Sequence, residues 1–292
     1  MSQLNRQTPA GRAYLDLQNR ARKEGRGTLE LLTLYVVERW LARLSASPYA
    51  ADFVLKGGML LAAYDARRPT ADVDALARGL VNDQDAVLGR IADIAGQPDN
   101  DGVEFLTGTA VARPIREDAF YPGVRVAMDS RIATAVVRFR LDINFGDPVT
   151  PAPKMIELPS LRPDTAPVRV LGYPIETVLA EKLATAIMLG AANTRVRDYA
   201  DIYTLTGRHD LTRGAVRAAL DATARFRDVE VAPLSSLLDD LVELREQTYR
   251  VPDRARRGRR RSALRLRRGR RRGGDVRRPA RPPDRRRALA RG

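Results

Sequence analysis

The amino-acid sequence predicts an α+β fold, with a mixed β-sheet and flanking helices, then a C-terminal helical bundle and a disordered Arg-rich tail. Three observations support this fold class. Short β-branched segments fill the middle of the chain, helical periodicity returns after Pro174, and arginine dominates from Arg254 onward. We therefore expect an α/β domain with N-terminal helices in residues 1–150, a helical domain in residues 168–250 and a tail in residues 254–292.

The N-terminal region alternates between helical and strand patterns. Apolar residues recur at helical spacing in residues 10–24 and 29–44, and Thr28 is placed to cap the second of these helices. The next predicted elements are a strand at 53–55, a helix at 59–65, a strand at 70–77 and a helix at 83–95. Their order predicts a sheet that is covered by helices.

The middle of the chain is rich in β-branched residues, and the last part before the tail is helical. Strands are predicted at 103–106, 110–115, 124–128 and 134–145. Six prolines between residues 146 and 167 predict an extended surface linker. Helices are predicted beyond this linker at 175–189, 195–206, 212–224 and 234–249.

The composition narrows the chemistry that the chain can perform. There is no Cys and His209 is the only His, which excludes thiolate sites, a Cys nucleophile and His-rich metal sites. Any bound metal must be held by oxygen, which favours Mg²⁺. No apolar stretch reaches the roughly 18–20 residues that a membrane helix needs, and the N-terminus lacks the apolar core of a signal peptide. We expect a cytoplasmic protein that has no membrane partner.

The net charge of +15 comes from the C-terminal tail. From Arg254 to the last residue there are 19 Arg and two Asp, so this segment carries +17 and the rest of the chain carries −2. Three interpretations of the tail stay open. It is a basic arm that binds RNA through the phosphates, or a disordered tail. The third is that it is the product of a GC-rich gene read in a shifted frame. We assign no catalytic role to it.

The strongest chemical signal is a Gly57-Gly58 turn that is followed, after a short helix, by Thr70-x-Asp72-x-Asp74. Alternate side chains of a strand share a face, so these three polar side chains are predicted to project together. The two carboxylates repel each other unless a divalent cation lies between them, and Mg²⁺ held in this way can bridge a triphosphate and an attacking hydroxyl. The glycines let backbone N–H groups approach a phosphate. An Asp-x-Asp pair alone is also compatible with an exposed pair on an edge strand.

A third carboxylate is expected from a neighbouring strand. Polar and apolar residues alternate in residues 138–145, and Asp142 lies on the polar face. Asp142 is the candidate for a general base or a third metal ligand. The alternative is an ordinary solvent-facing Asp paired with Arg138 or Arg140. Asp147, which a proline follows, is interpreted as a turn residue.

Two further charged clusters lie in the helical half. Lys182 interrupts a mostly apolar helix, so it either extends to solvent or points into a cleft toward phosphates. Arg195, Asp198 and Asp201 lie at positions i, i+3 and i+6 and form one stripe. The functional interpretation places Lys182 and Arg195 on a triphosphate, with Asp198 orienting Lys182 or the nucleotide. The alternative is an exposed stripe of salt bridges.

Together these motifs make the sequence resemble the AbiEii/AbiGii family of nucleotidyltransferase toxins, which includes the mycobacterial MenT toxins and belongs to the DNA polymerase β superfamily. The resemblance covers roughly residues 53–203. The residues that carry it are, in order, Gly57, Gly58, Thr70, Asp72, Asp74, Asp142, Glu181, Lys182, Arg195, Asp198, Asp201 and Ile202. The family often has Lys directly before the first Asp of its last motif, where this chain has Arg197.

The resemblance implies a polymerase-β-like core and a Mg²⁺-dependent enzyme that transfers a nucleotide from an NTP to RNA. In some relatives the acceptor is the 3′ end of tRNA, which blocks translation, and a cognate antitoxin protein neutralises the enzyme. The predicted site comprises Asp72, Asp74 and Asp142 for metal and catalysis, Lys182 and Asp198 for catalysis, and Gly57, Gly58, Thr70, Lys182, Arg195 and Asp201 for nucleotide.

Two alternatives stay open at this point. One is a small-molecule nucleotidyltransferase of the aminoglycoside-resistance kind, which the near-neutral charge of the chain before the tail allows. The other is a non-catalytic RNA-binding protein that acts through the Arg-rich tail.

Overall fold

The structure of the protein is a computed structural model, and it describes residues 4–66, 70, 72–115, 123–190, 193 and 195–233. All of these residues belong to the unit Met1–Leu241. The predicted helix at 234–249 and the Arg-rich tail lie outside the described residues. The division into an α/β domain and a helical domain stays a prediction.

Helix α1, Pro9–Glu24, follows the first predicted helix closely. The Thr8 hydroxyl accepts a hydrogen bond from the Gly11 N–H at its start, and Gly25 ends it in the left-handed conformation with φ 65°. Both capping signals are local in sequence, so the amino-acid pattern alone locates the ends of this helix.

Helix α2, Thr28–Ala46, packs against the sheet and is buried along most of its length. Its N-cap residue is Gly27, which makes no side-chain cap hydrogen bond. The predicted capping by Thr28 is therefore wrong, because Thr28 is the first helical residue. Trp40 is fully buried and contacts the edge of the Phe53 ring at a centroid distance of 6.3 Å, which holds α2 on the sheet.

Seven strands form one mixed sheet within the described part of the chain. They are β1 (Phe53–Lys56), β2 (Val73–Ala77), β3 (Glu104–Pro114), β4 (Gly123–Ile132), β5 (Ala135–Phe145), β6 (Lys154–Leu158) and β7 (Val168–Gly172). The further helices are α3 (Gly57–Leu60), α4 (Gln84–Ala95), α5 (Ile175–Leu189), α6 (Val196–Arg208) and α7 (Arg213–Phe226), and a 3₁₀ turn spans Leu61–Tyr64. The predicted α+β fold class is confirmed.

The spatial order of the strands is β3-β4-β5-β2-β1-β7-β6. β2 runs parallel to β5 and β1 runs parallel to β7, whereas the other neighbours are antiparallel. Strands that are far apart in sequence therefore meet at the centre of the sheet. On the helical side, α5 packs against both α6 and α7.

Several predicted boundaries differ from the structure. β4 continues to Ile132, beyond the predicted end at residue 128, and the helix predicted at 59–65 begins at Gly57 and becomes a 3₁₀ turn at Leu61. The strand predicted from Thr70 begins only at Val73, and the two segments predicted at 103–106 and 110–115 form a single strand, β3, with an irregular register between Leu106 and Val111. The registers of β3 and β4 continue on both sides of this irregularity, so pairing with β4 joins the two segments. Pairing with a neighbour is not visible in the local sequence.

The prolines at 146–167 do not form only an extended linker. Residues 154–158, which contain no proline, form the edge strand β6 and pair with β7. Neither strand was predicted from sequence, and β7 lies at the start of the range assigned to the helical domain. Ile156 and Leu158 alternate with exposed residues and face the core. Prolines that flank an edge strand leave its pairing intact, which explains the difference. Within the described ranges, no helix is long and apolar enough to cross a membrane.

Candidate active site

A cleft of about 310 Å³ opens where the ends of the central strands face the helical layer. Its lining residues are Lys56, Gly57, Gly58, Asp74, Ile115, Asp142, Asn144, Glu181, Lys182, Thr185, Arg195, Asp198 and Arg227. Seven of the ten residues predicted for the site therefore line one cleft. Of the other three, Thr70 and Asp201 contact lining residues, and Asp72 contacts Thr70, as described below.

Asp74 and Asp142 form the floor of this site. They are register partners on the parallel neighbours β2 and β5, so their side chains leave the sheet on the same face. Val73 and Leu141 precede them in the two strands and are fully buried on the opposite face. The alternation that buries these two apolar residues also directs the two carboxylates into the cleft.

The surroundings of the Asp74 carboxyl disfavour its charged form. Burial raises its pKa most, and the negative charge of Asp142 raises it next, so that the pKa reaches about 6 although the Lys56 charge lowers it. Asp72 and Glu181 contribute smaller upward shifts. The carboxylates of the site therefore carry more negative charge than the surrounding cations neutralise.

The Gly57-Gly58 turn touches this carboxylate directly. Gly57 has φ 65°, and an ideal Cβ on it would lie 1.9 Å from Asp74 Oδ2. A Cβ on Gly58 would lie 2.8 Å from the Thr70 hydroxyl oxygen. Both glycines are therefore required by close packing of the backbone against the polar side chains of the motif.

Thr70 and Asp72 precede β2 and approach the site from its side. The Thr70 hydroxyl donates a hydrogen bond to the Asp72 backbone carbonyl at 3.3 Å. Asp72 Oδ1 is shielded from solvent and has no hydrogen-bond partner among the described residues, and Arg140 Nη1 lies 3.9 Å from it. Asp72 thus offers an oxygen without a hydrogen bond at the margin of the cleft.

Asp142 is paired with Arg125, which was not predicted from sequence as a site residue. Its two oxygens accept hydrogen bonds from Nε and Nη2 of Arg125, each at 2.7 Å. The alternative partners proposed from sequence lie elsewhere, because Arg138 pairs with Asp129 and Arg140 is close to Asp72.

Lys182 joins the two helices that border the cleft. Its ammonium lies 2.7 Å from Asp198 Oδ1 and 2.8 Å from Asp201 Oδ2, so α5 and α6 are tied by one cation and two carboxylates. The Lys182 side chain is only 12% exposed, which contradicts the alternative in which it extends to solvent. Asp201 is buried as well, so the stripe is not an exposed row of salt bridges. Arg195 is exposed at the N-cap position of α6.

A second charged network lies deeper in the cleft. Lys56 is buried and its ammonium contacts Asp147 Oδ2 at 2.5 Å and Glu181 Oε1 at 2.7 Å. Arg227 donates to the same Glu181 oxygen at 3.0 Å and to the Thr185 hydroxyl. The interpretation of Asp147 as a simple turn residue is corrected: it follows β5 in a loop, but its carboxylate is buried against Lys56.

The family of the chain follows from a comparison with known sequences. The sequence matches, over residues 39–289, the family described as Nucleotidyl transferase AbiEii toxin, Type IV TA system. The chain belongs to the AbiEii toxin family. A search of curated proteins found no match.

Two solved structures are similar to this AbiEii-family chain at low identity. One is JHP933 from Helicobacter pylori, with a TM-score of 0.42 and 15% identity over 75% of this chain and 95% of that chain. The other is the antibiotic-resistance factor ANT(2'')-Ia, with a TM-score of 0.37 and 14% identity over 68% of this chain and 93% of that chain.

The donor set of the AbiEii-family site suits a hard divalent cation. Asp72, Asp74 and Asp142 offer only oxygen atoms, and Asp72 Oδ1 has no hydrogen bond within the described residues. Burial, and then the negative charge of Asp142, raises the pKa of Asp74. Among the described residues, however, no three acidic or histidine side chains are close enough to enclose a metal ion. Both oxygens of Asp142 are engaged by Arg125 instead.

Several charged residues that line the cleft of this AbiEii-family protein or pair with its lining were not assigned to the site from sequence, among them Lys56, Arg125, Asp147 and Arg227. A signal for Lys56 existed, because a charged residue ends an apolar strand directly before the glycine turn. Arg125 and Arg227 give no comparable local signal. Their contacts depend on the register of β4 against β5 and on the packing of α7 against α5.

Proposed function

We propose that this AbiEii-family toxin transfers a nucleotide from an NTP to RNA, and that its acceptor is the 3′ end of tRNA. The observation that carries the proposal is the convergence of the Asp74–Asp142 pair, the Gly57-Gly58 turn and Lys182 on one cleft. Carboxylates that hold a cation, backbone N–H groups and a lysine are together the groups that bind and polarise a triphosphate.

The proposal assigns a role to each predicted residue. Asp72, Asp74 and Asp142 would hold Mg²⁺, which neutralises charge on the phosphoryl oxygens when it is bound. Lys182 and Arg195 contact the triphosphate, and Asp198 and Asp201 orient Lys182 through their contacts with its ammonium. The reaction forms a bond between the acceptor hydroxyl oxygen and the α-phosphorus, and it breaks the bond to pyrophosphate, which leaves.

Asp142 has a second task as the proton acceptor for the attacking hydroxyl. It lies beside Asp74 in register, so a hydroxyl at the cleft floor comes within reach of its oxygens. Thr70 supports the glycine turn, because its hydroxyl lies against Gly58. The turn itself provides backbone N–H groups at the start of α3 for phosphate contacts.

One feature favours a polyanionic acceptor over a small molecule. Arg125 and Arg140 are each about half exposed and lie on the same open face of β4 and β5 as Asp142. Arginines beside the carboxylates suit the phosphates of an RNA strand that enters the cleft. The family description, a toxin of a toxin–antitoxin system, supports a cognate antitoxin as the second partner.

The proposal is tested by a transfer assay with each α-labelled NTP, total tRNA and Mg²⁺, followed by sequencing of the labelled RNA. We expect label at tRNA 3′ ends and a loss of at least about 100-fold in Asp72→Ala and Asp74→Asn. Asp129→Asn is the matched control, because this carboxylate pairs with Arg138 on the same sheet face outside the cleft.

Two outcomes would contradict the proposal. If Asp72→Ala and Asp74→Asn remain as active as the unmodified protein, the carboxylate assignment fails. If aminoglycoside-type small molecules are labelled and RNA is not, the acceptor is a small molecule, and the alternative from the same fold replaces the RNA proposal.

A further inference from the structure

The carboxylates of the site already have a cationic neighbour within the chain. Arg125 on β4 lies directly opposite Asp142 on β5 in antiparallel register. Its Nε donates to Asp142 Oδ1 and its Nη2 donates to Oδ2, both at 2.7 Å. A two-pronged guanidinium–carboxylate pair is among the stronger charge-assisted contacts in proteins.

Arg125 also interacts with the other two carboxylates. The hydrogen bonds to Asp142 raise the pKa of the Arg125 guanidinium most, and the charges of Asp142, Asp72 and Asp74 raise it further. The positive charge of the guanidinium therefore interacts with all three carboxylates of the predicted metal site. It supplies one positive charge to these carboxylates, whereas a bound Mg²⁺ would supply two.

The Arg125 side chain can leave this position. It is 50% exposed, and within the described residues its guanidinium donates hydrogen bonds to Asp142 alone. Because the guanidinium is half in water, solvent replaces its own hydrogen bonds when the side chain leaves, and the cost falls on the carboxylate that loses its partner. Asp142, by contrast, is only 15% exposed and is fixed within β5.

We propose that Arg125 is a built-in counter-cation that competes with the divalent cation for Asp142, so that the cation gains this ligand only when the guanidinium releases it. The inference rests on the proposed function for the position of the cation site. Arg125 is thereby a positioning residue that acts through Asp142. It sets the affinity of the site for a divalent cation before any substrate binds.

The competition is measured as Mn²⁺ affinity of the full-length protein without nucleotide, by electron paramagnetic resonance of free Mn²⁺. We expect Arg125→Ala to bind Mn²⁺ about tenfold more tightly than the unmodified protein, because one charge-assisted pair no longer has to break. Arg125→Lys keeps the charge without the two-pronged contact, so its affinity is expected to lie between these two.

The matched control is Arg138→Ala. Arg138 lies on the same sheet face, is 45% exposed and pairs with Asp129 at 2.9 Å, outside the cleft. Its removal takes away the same charge, and we expect a change of less than about twofold in Mn²⁺ affinity. Melting curves of all variants verify that each one is folded.

A double-mutant cycle with Asp142→Asn separates competition from a general charge effect. In the Asp142→Asn background, removal of Arg125 should change the Mn²⁺ affinity by less than about twofold, because the contested ligand is gone. A gain as large as in the unmodified background overturns the proposal, and so does an unchanged or weaker affinity in Arg125→Ala alone. If the protein transfers no nucleotide at all, the proposed function fails, and the Mn²⁺ affinities still decide this inference separately.

Discussion

Gly57 shows how strongly single residues constrain the site. Its positive φ and the short approach of Asp74 Oδ2 to its backbone leave no room for a side chain. The same close approach brings the backbone of the glycine turn directly beside the Asp74 carboxylate. Gly57 is therefore needed both for the backbone conformation of the turn and for its packing against Asp74.

Substitution Gly57→Ala should reduce both stability and transfer activity. The positive φ costs about 1–2 kcal/mol for a residue with a Cβ, and the collision with Asp74 adds to this cost. Gly79→Ala is the matched control, because Gly79 has φ 68° but no atom within 4 Å of an added Cβ. Urea unfolding and the transfer assay measure the two effects.

We expect Gly79→Ala to lose about 1 kcal/mol and to keep its activity. Equal destabilisation of the two variants with full activity in both would contradict a close contact between Gly57 and Asp74.

The raised pKa of Asp74 makes the stability of the metal-free protein depend on pH. A carboxyl whose folded pKa is about 6, above the ordinary value of 3.8 for Asp, stabilises the fold when protonated, and this contribution is lost as the pH rises through about 4 to 6. Asp74→Asn does not titrate, so in EDTA it should exceed the unmodified protein in stability at pH 7 by an amount on the order of 2 kcal/mol.

The measurement is thermal unfolding of both proteins in EDTA between pH 4 and pH 7. The difference in stability between the two proteins should shrink toward pH 4, because the folded unmodified protein then has an uncharged Asp74, comparable to the uncharged Asn of the variant. A difference that stays constant over this range would show that the Asp74 carboxyl does not titrate as the site geometry requires.

At the scale of elements, the site depends on the contact between α5 and α6. Lys182 on α5 is held by Asp198 and Asp201 on α6, and all three side chains are largely buried. These ion pairs therefore help to set the relative position of the two helices beside the cleft. Both helices were predicted from sequence within two residues of their ends.

Lys182→Met should destabilise the protein strongly, because it leaves two neighbouring carboxylates without their cation. The expected loss is about 3 kcal/mol in the free energy of unfolding, together with loss of transfer activity. Asp198→Asn should cost less, since Lys182 keeps its contact with Asp201. Urea unfolding distinguishes the two variants.

Arg217→Ala provides the comparison with an exposed pair. Arg217 and Asp221 form a salt bridge on α7 in which both side chains are exposed, and its loss should cost less than about 1 kcal/mol. If Lys182→Met costs no more than Arg217→Ala, the α5–α6 ion pairs do not hold the helices.

The sequence reveals the elements and the local motifs but not the pairings between distant segments. Asp142 was found because strict alternation along β5 is visible in a single stretch of sequence. Strand β6 was missed because the prolines that flank it suggested a linker, and its pairing with β7 is a tertiary property. Arg125 escaped prediction for the same reason: only the register of β4 against β5 brings it to Asp142.

At the scale of the whole molecule, the charge divides into a near-neutral body and a strongly basic tail. The residues that line the cleft lie between Lys56 and Arg227, and thus before the tail begins at Arg254. The catalytic proposal therefore needs no residue of the tail. Under the interpretation of the tail as a basic arm, its contribution is to RNA affinity.

Deletion of residues 254–292 should leave nucleotide transfer to a short RNA acceptor intact. It should weaken binding of long RNA, and the affinity should depend less steeply on salt because fewer phosphate contacts release counterions. The measurements are the transfer assay and RNA binding at two salt concentrations. If the deletion abolishes every effect on RNA while Asp72→Ala changes nothing, the protein acts as an RNA-binding protein without catalysis.

The pairing of β2 with β5 determines when the site can form during synthesis on the ribosome. Asp74 and Asp142 become neighbours only after β5 has been synthesised, and Lys182 gains its two carboxylates only after Asp201 has left the ribosome. A nascent toxin therefore carries no complete site until most of the described chain has been made.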